Sequence, residues 1–342
     1  MKGHKREQNK LLTEGDSLMA YETEDHETQY CFPAINSSCI KEKRSSHEYH
    51  IMYVFFSLLS AWTVFLNLLV IISISHFKKL HTPTNLIILS LAVADMLIGL
   101  IVMPVDAIKL IETCWYFGDT LCEVFMIIMG LLGSTSLSNL VLIAVDRYMA
   151  VCHPLQYPQK ITTTKALISV CVCWFCSSTY NLGYLISRRH SDTLQTPDMC
   201  YGRCYLIISF SWMITNLFFS FLLPCSLIIT LYLRIFYVAH QQVKVINSLM
   251  KGGKFVKEGS VKRKSERKAA LTLGIIVVVS LTGTAVISSA TMTFLLWILY
   301  ISCGLNPLIY ALFYRWFKLS VKHILTFKIF ESASSLMDIF SD

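Results

Sequence analysis

Asp95 lies inside a run, Leu80–Val105, that carries no other charge. A carboxylate removed from water is costly unless donors, a cation or trapped water reach it, so Asp95 is a functional candidate by default. Asp146 and Arg147 stand side by side at the end of another uncharged run, Val124–Val145. Two readings apply to Arg147: a cation that snorkels to water from a helix end, or one arm of a switched contact. The ten histidines are scattered and show no metal-ligand spacing, and Cys200-x-x-x-Cys204 lacks nearby partners for zinc. With no activated nucleophile either, an enzyme is not expected.

The elements that must position these residues are apolar. Of the 342 residues 54% are hydrophobic and 15% charged, outside the usual range of a soluble domain. A bilayer core about 30 Å thick takes roughly 20 apolar helical residues to cross. Runs free of Asp, Glu, Lys and Arg cover Tyr49–Phe77, Val124–Val145, Ala166–Ser187, Cys204–Leu233 and Ala269–Tyr314, and Leu80–Val105 adds one interrupted only by Asp95. The last run accommodates two crossings. The expectation is an all-α bundle of seven transmembrane helices, because lipid leaves only helices or closed barrels and these runs are too long for barrel strands.

Basic residues set the orientation. Lys78 and Lys79 follow the first run, Arg147 and Lys160 flank the loop after the third, and Lys244–Lys268 is densely basic. By the positive-inside rule these loops face the cytoplasm and the N-terminus lies outside. The net charge of +8 is thus topological, and nucleic acid is not an expected partner. Residues 1–48 read as an outer tail, mostly flexible and tied down only at its cysteines, with no cleavable signal segment and with Met19 as a second candidate start. Residues 49–314 form the membrane domain. Within it, 234–268 is a mobile basic loop, either simply solvated or a docking surface for an acidic partner, and 315–342 is a cytoplasmic segment.

Orientation also sorts the 12 cysteines. Cys31, Cys39, Cys114, Cys122, Cys200 and Cys204 fall outside, where disulfides persist; Cys152 is cytoplasmic; Cys171, Cys173, Cys176, Cys225 and Cys303 are expected as small apolar packers within helices. Asn36-Ser37-Ser38 is an outside sequon that places a glycan on Asn36.

A distributed set of residues then resembles the rhodopsin-like G-protein-coupled receptors. It runs through Asn67 in Leu66-Asn67-Leu68-Leu69-Val70, Leu91-Ala92-Val93-Ala94-Asp95, Cys122, Asp146-Arg147-Tyr148, Trp174, Pro224, Tyr232 and Asn306-Pro307-Leu308-Ile309-Tyr310. The 24 positions from Cys122 to Asp146 cover roughly 36 Å of helix, one residue at each membrane face. Cys200-Tyr201-Gly202-Arg203-Cys204 and Thr113-Cys114-Trp115-Tyr116-Phe117-Gly118 look like the trace amine-associated branch.

The resemblance implies a bridge from Cys122 to Cys204 and a second outer bridge joining Cys200 to Cys31 or Cys39. It implies that Asp146 holds Arg147 at rest and that Arg147, Tyr148, Tyr232, Asn306, Pro307 and Tyr310 form the coupling machinery for a heterotrimeric G protein. It further implies an allosteric sodium ion at Asp95, Ser136, Ser302 and Asn306, with Ser302 standing where Asn is usual, and an amphipathic surface helix beginning near Phe317-Lys318. Trp316 and Lys318 also read as interface anchors.

The chain departs from the pattern in two places. Where amine receptors keep an acid on helix three it has Met129, and the alternative acidic position on helix five carries Asn216. Asp106 is the remaining acid near the pocket, with Trp297 and Tyr300 as aromatic walls, so these five residues are the expected ligand contacts. The Cys-Trp-x-Pro stretch of helix six is missing: Val279-Ser280 runs straight into Leu281-Thr282-Gly283-Thr284, a helix shortened by about three turns. The expected function is a chemosensory plasma-membrane receptor for trace amines or related small amines. Its rivals are a nonsignalling receptor-like product held in the endoplasmic reticulum and, from another class, a transporter or channel. The latter calls for inverted repeats or a path of buried charges, neither of which is present.

Overall fold

The computed structural model describes residues 29–191, 200–204, 210–249, 299–309 and 315–327. Among them five helices are long and apolar enough to cross a membrane: Ser46–His76, Pro83–Glu112, Gly118–Cys152, Thr163–Ile186 within Thr163–Ser191, and Ile214–Gln242. These are the first to fifth crossings, and the shorter apolar helix Leu299–Ile309 belongs to the seventh. The expected sixth crossing, with its shortening, falls outside the described residues.

The first helix begins at Ser46, before the uncharged run, because Glu48 serves rather than stops it. Ser45 Oγ accepts from Glu48 N and Glu48 Oε2 accepts from Ser45 N, a capping box that satisfies two otherwise orphaned donors. The second helix starts with Thr82 as cap and Pro83 in its first turn, where no N–H is missed. It runs past Val105 to Glu112 and is interrupted by a π turn at Ile98–Val102. The fifth also carries a π turn, Phe218–Leu222, and continues to Leu249. The first part of the segment expected as the 234–268 loop is therefore helix.

Among the described residues the two largest apolar clusters lie toward the inner and outer ends of the bundle. The inner one packs Val70, Ile74, Phe77 and Leu80 of the first helix region against Ile88 and Leu91 of the second, together with Trp316 and Phe317. Trp316 and Phe317, each 4% exposed, open the helix Arg315–Leu325, so Trp316 is packed into the protein rather than serving as an interface anchor. The outer cluster gathers Ile98, Val102, Met103, Trp115, Cys122, Phe125, Tyr300 and Cys303. Polar ties cross between helices: Trp174 Nε1 donates to Ser90 Oγ at 3.0 Å, and Asn67 Nδ2 donates to Cys303 O at 3.2 Å.

The outer tail is more ordered than its composition suggests. From Gln29 to Lys41 it folds back on itself, with Cys31 N donating to Cys39 O and Lys41 N to Gln29 O. It then docks on the second outer loop through Cys39 N to Tyr201 O and Tyr201 N to Ser37 O. Backbone pairing of this kind is invisible to a search for apolar periodicity, which is why the tail reads as loose in sequence.

Candidate functional site

At the outer face three disulfides form: Cys31–Cys114, Cys39–Cys200 and Cys122–Cys204. Between Cys31 and Cys39, the alternatives left open for Cys200, the structure selects Cys39. It pairs Cys31 with Cys114, a partner the sequence reading leaves unassigned. The tail is fastened further by Lys41, whose ammonium lies 2.6 Å from Glu112 Oε2, while Tyr53 OH donates to Glu112 Oε1 at 2.7 Å. The Glu112 hydrogen bond raises the pKa of Lys41. Asn36, the sequon residue, is exposed in the turn between the two tail cysteines, and its partner Ser38 is buried, accepting from Phe32 N.

Below this lid, Tyr300 OH donates to Asp106 Oδ2 at 3.0 Å. Tyr300 is 2% exposed and belongs to the outer cluster, against which Met129 also packs. Among the described residues the other carboxylate oxygen of Asp106 accepts no hydrogen bond, and Lys109, one turn on, is the cation within electrostatic reach. Asn216 sits apart from this pair: its Oδ1 accepts from Tyr180 OH of the fourth helix at 3.2 Å. Nothing in the spacing of Tyr180 distinguishes it in the sequence from a lipid-facing aromatic. Trp297 lies outside the described residues.

In mid-bundle Asp95 is fully buried. Its Oδ1 accepts from Ser136 Oγ and its Oδ2 from Asn306 Nδ2, both at 2.7 Å, so second, third and seventh helices meet on one carboxylate. Cys303, three residues before Asn306 on the seventh helix, is buried close to this group, and its carbonyl accepts from Asn67 Nδ2. Ser302 makes no hydrogen bond to the carboxylate among the described residues. A hard cation asks for a shell of oxygens. Here the described residues offer the Asp95 carboxylate and the Ser136 hydroxyl, with the Asn306 amide against the second carboxylate oxygen. Asp95 and Ser136 are the residues that would hold a hard cation at this position, and the carboxylate is also served by protein donors.

At the inner face Asp146, 2% exposed, accepts from three side chains. Arg147 Nη2 lies 2.8 Å and Thr84 Oγ1 2.9 Å from Oδ2, and Tyr157 OH lies 2.8 Å from Oδ1. The fourth link closes the group, Thr84 Oγ1 to Tyr157 OH at 3.2 Å. Burial pushes the Tyr157 phenol up, holding it as a neutral donor. Thr84 and Tyr157 escape sequence reasoning because they come from a helix start and a loop with no fixed spacing to Asp146. Tyr148 stacks edge-on with His153 at 5.6 Å. Tyr232 is half-buried on the fifth helix and Pro307 is buried on the seventh, whereas Tyr310 lies outside the described residues.

A disulfide-pinned outer loop, a buried carboxylate shared by three crossing helices and an acid–arginine pair at the inner end together define a membrane receptor. Residues 66–310 match the family described as the 7 transmembrane receptor (rhodopsin family), and the chain belongs to it. Within that family it falls in the trace amine-associated branch. It is 38% identical over 333 residues to "Trace amine-associated receptor 13c" of Danio rerio, covering 92% of this chain and 97% of that one. It is 37% identical to "Trace amine-associated receptor 6" of Rattus norvegicus and 36% identical to that of Homo sapiens, with 92% of this chain and 96% of each relative covered.

Proposed function

We propose that this chain is a chemosensory receptor of the plasma membrane that binds a small amine at Asp106 and passes the event to a heterotrimeric G protein at its inner face. The observation that carries the reading is the Tyr300–Asp106 hydrogen bond in the bundle interior. An ammonium leaving water needs a charge partner, and Asp106 offers a carboxylate with one oxygen held by the phenol and the other open to a second donor. The names of the relatives support an amine as the ligand.

Binding at Asp106 engages the second and seventh helices together. The same two helices meet again at Asp95 through Asn306. A ligand with different contacts in two arrangements of these helices shifts the balance between them, and the Asp146–Arg147 pair is the inner contact whose release a G protein reads. The test is surface display together with cyclic AMP output in cells expressing the chain, screened against n-alkylamines, 2-phenylethylamine, 1,5-diaminopentane and N,N-dimethylcyclohexylamine. A dose-dependent response that Asp106→Asn weakens by tenfold or more, roughly the effect of unpairing a desolvated ion pair, supports the reading. Silence from a well-displayed receptor across the panel sinks it.

A further inference from the structure

The second helix is regular up to Ile98 and regular again from Met103, and the join between the two parts is a π turn. There the Met103 N–H donates to Ile98 O, five residues back. In an uninterrupted α-helix that N–H would serve Gly99 O instead. The next candidate donor for Gly99 O is residue 104, a proline, which has no N–H. The Gly99 carbonyl is therefore orphaned within its own helix and is buried among its neighbours. Ser60 of the first helix supplies the missing donor, its hydroxyl lying 2.6 Å from Gly99 O.

The approach is made possible by glycine. A Cβ at Gly99 would stand 3.1 Å from the methyls of Thr63 and Val64, closer than such contacts settle. Thr63 meets a second glycine in the same way: a Cβ on Gly304 of the seventh helix would lie 3.0 Å from Thr63 Oγ1. One turn of the first helix, Ser60 to Thr63, thus seats both the second helix at Gly99 and the seventh at Gly304. Asp106 lies about two turns beyond Gly99 and Tyr300 about one turn before Gly304.

The extra residue of a π turn rotates everything after it by about 100° relative to a continuous helix. The bearing of Asp106 on Tyr300 depends on that rotation being kept. We infer that Ser60 is a positioning residue for the amine site: by capping the Gly99 carbonyl it fixes the π turn that aims Asp106 at Tyr300. This rests on the reading of Asp106 as the amine contact. Ser60 never touches the ligand and acts through the second helix alone.

The experiment is a double-mutant cycle read as surface-normalised EC50 for the most potent amine of the panel named above, with surface display and maximal response measured alongside. Ser60→Ala is expected to raise the EC50 on the order of tenfold, the scale set by leaving a buried acceptor unpaired, with display and maximal response unchanged. Ser60→Thr keeps the hydroxyl and is expected to stay within about twofold of wild type. Ser60→Cys, a weaker donor of similar size, reads the same effect if the alanine variant is poorly displayed. In the Asp106→Asn background Ser60→Ala is expected to add nothing, because its effect passes through the carboxylate. An unchanged EC50 in Ser60→Ala, failure of threonine to rescue, or a full additional loss on top of Asp106→Asn overturns the inference. An EC50 insensitive to Asp106→Asn, or a panel without a responding amine, overturns instead the amine-site reading on which it rests.

Discussion

Cys31 and Cys114, separated by 83 residues in the chain, are joined by a bond that closes a covalent ring. The ring passes from Cys31 along the tail to Cys39, across to Cys200, along the second outer loop to Cys204, across to Cys122, and back through the start of the third helix to Cys114. Hydrogen bonds span its interior, among them Trp115 N to Gly202 O at 2.8 Å.

A ring tolerates one cut. With any single bridge removed, the three segments remain linked through the other two, and the lost bond closes a circuit of only about twenty residues, worth roughly 3 kcal/mol. Paired Cys31→Ser/Cys114→Ser substitution is thus expected to lower the thermal midpoint of the purified receptor by several degrees and to leave surface display largely intact. Removing the Cys39–Cys200 bridge as well releases the tail and is expected to cut display sharply. Equal loss of display from the first pair alone would show that the bridges are not redundant.

Tyr300 is expected to matter to ligand binding through its hydroxyl. Tyr300→Phe keeps the ring in the outer cluster but removes the donor to Asp106 Oδ2. The expected result is a several-fold loss of amine potency, smaller than that of Asp106→Asn, since a single hydrogen bond to a charged group contributes about 1.5–3 kcal/mol before the ligand's own donors compensate. A potency equal to wild type would detach Tyr300 from the site.

At the inner face Asp146→Asn is expected to raise ligand-independent cyclic AMP signalling, because the amide keeps the shape but gives up the charge that holds Arg147. Tyr157→Phe and Thr84→Ala each remove one donor that orients the carboxylate and are expected to produce smaller rises in the same direction. Arg147→Ala should abolish coupling with display retained. Basal activity unchanged in Asp146→Asn would refute the resting-lock role.

Replacing sodium by choline in the medium is expected to lower the thermal midpoint of the purified receptor, because the Asp95 and Ser136 oxygens would hold the ion. Ser302→Asn adds an amide oxygen on the seventh helix and is expected to enlarge that dependence. A wild-type midpoint indifferent to sodium, or a sodium dependence that survives Asp95→Asn, would sink this site.

The crossings are legible in the sequence because lipid imposes one rule on every residue of a span, and a charge-free run records it directly. Asp95, Asp146 and Arg147 stand out for the same reason, as charges where charge is costly. What escapes is everything settled by a partner distant in sequence. Thr84 and Tyr157 become carboxylate donors only once the second helix and the inner loop are folded against the third. Glu48 ends a charge-free run on paper and begins a helix in space. The π turn is signalled weakly by Pro104, but its capping hydroxyl comes from a different helix. The order of the tail rests on backbone pairing, which leaves no mark on side-chain pattern.

Gly202 sits in the second outer loop with φ of +99°, and a Cβ there would press within 2.9 Å of the Phe32 ring. The position is closed twice over, by backbone geometry and by the tail packed above it. Any missense change at this codon therefore burdens the lid before the receptor has met a ligand. Its victims would be found among chains detained by the secretory pathway's quality control, and a survey of natural variation should find this site empty of alternatives while exposed neighbours such as Tyr201 drift.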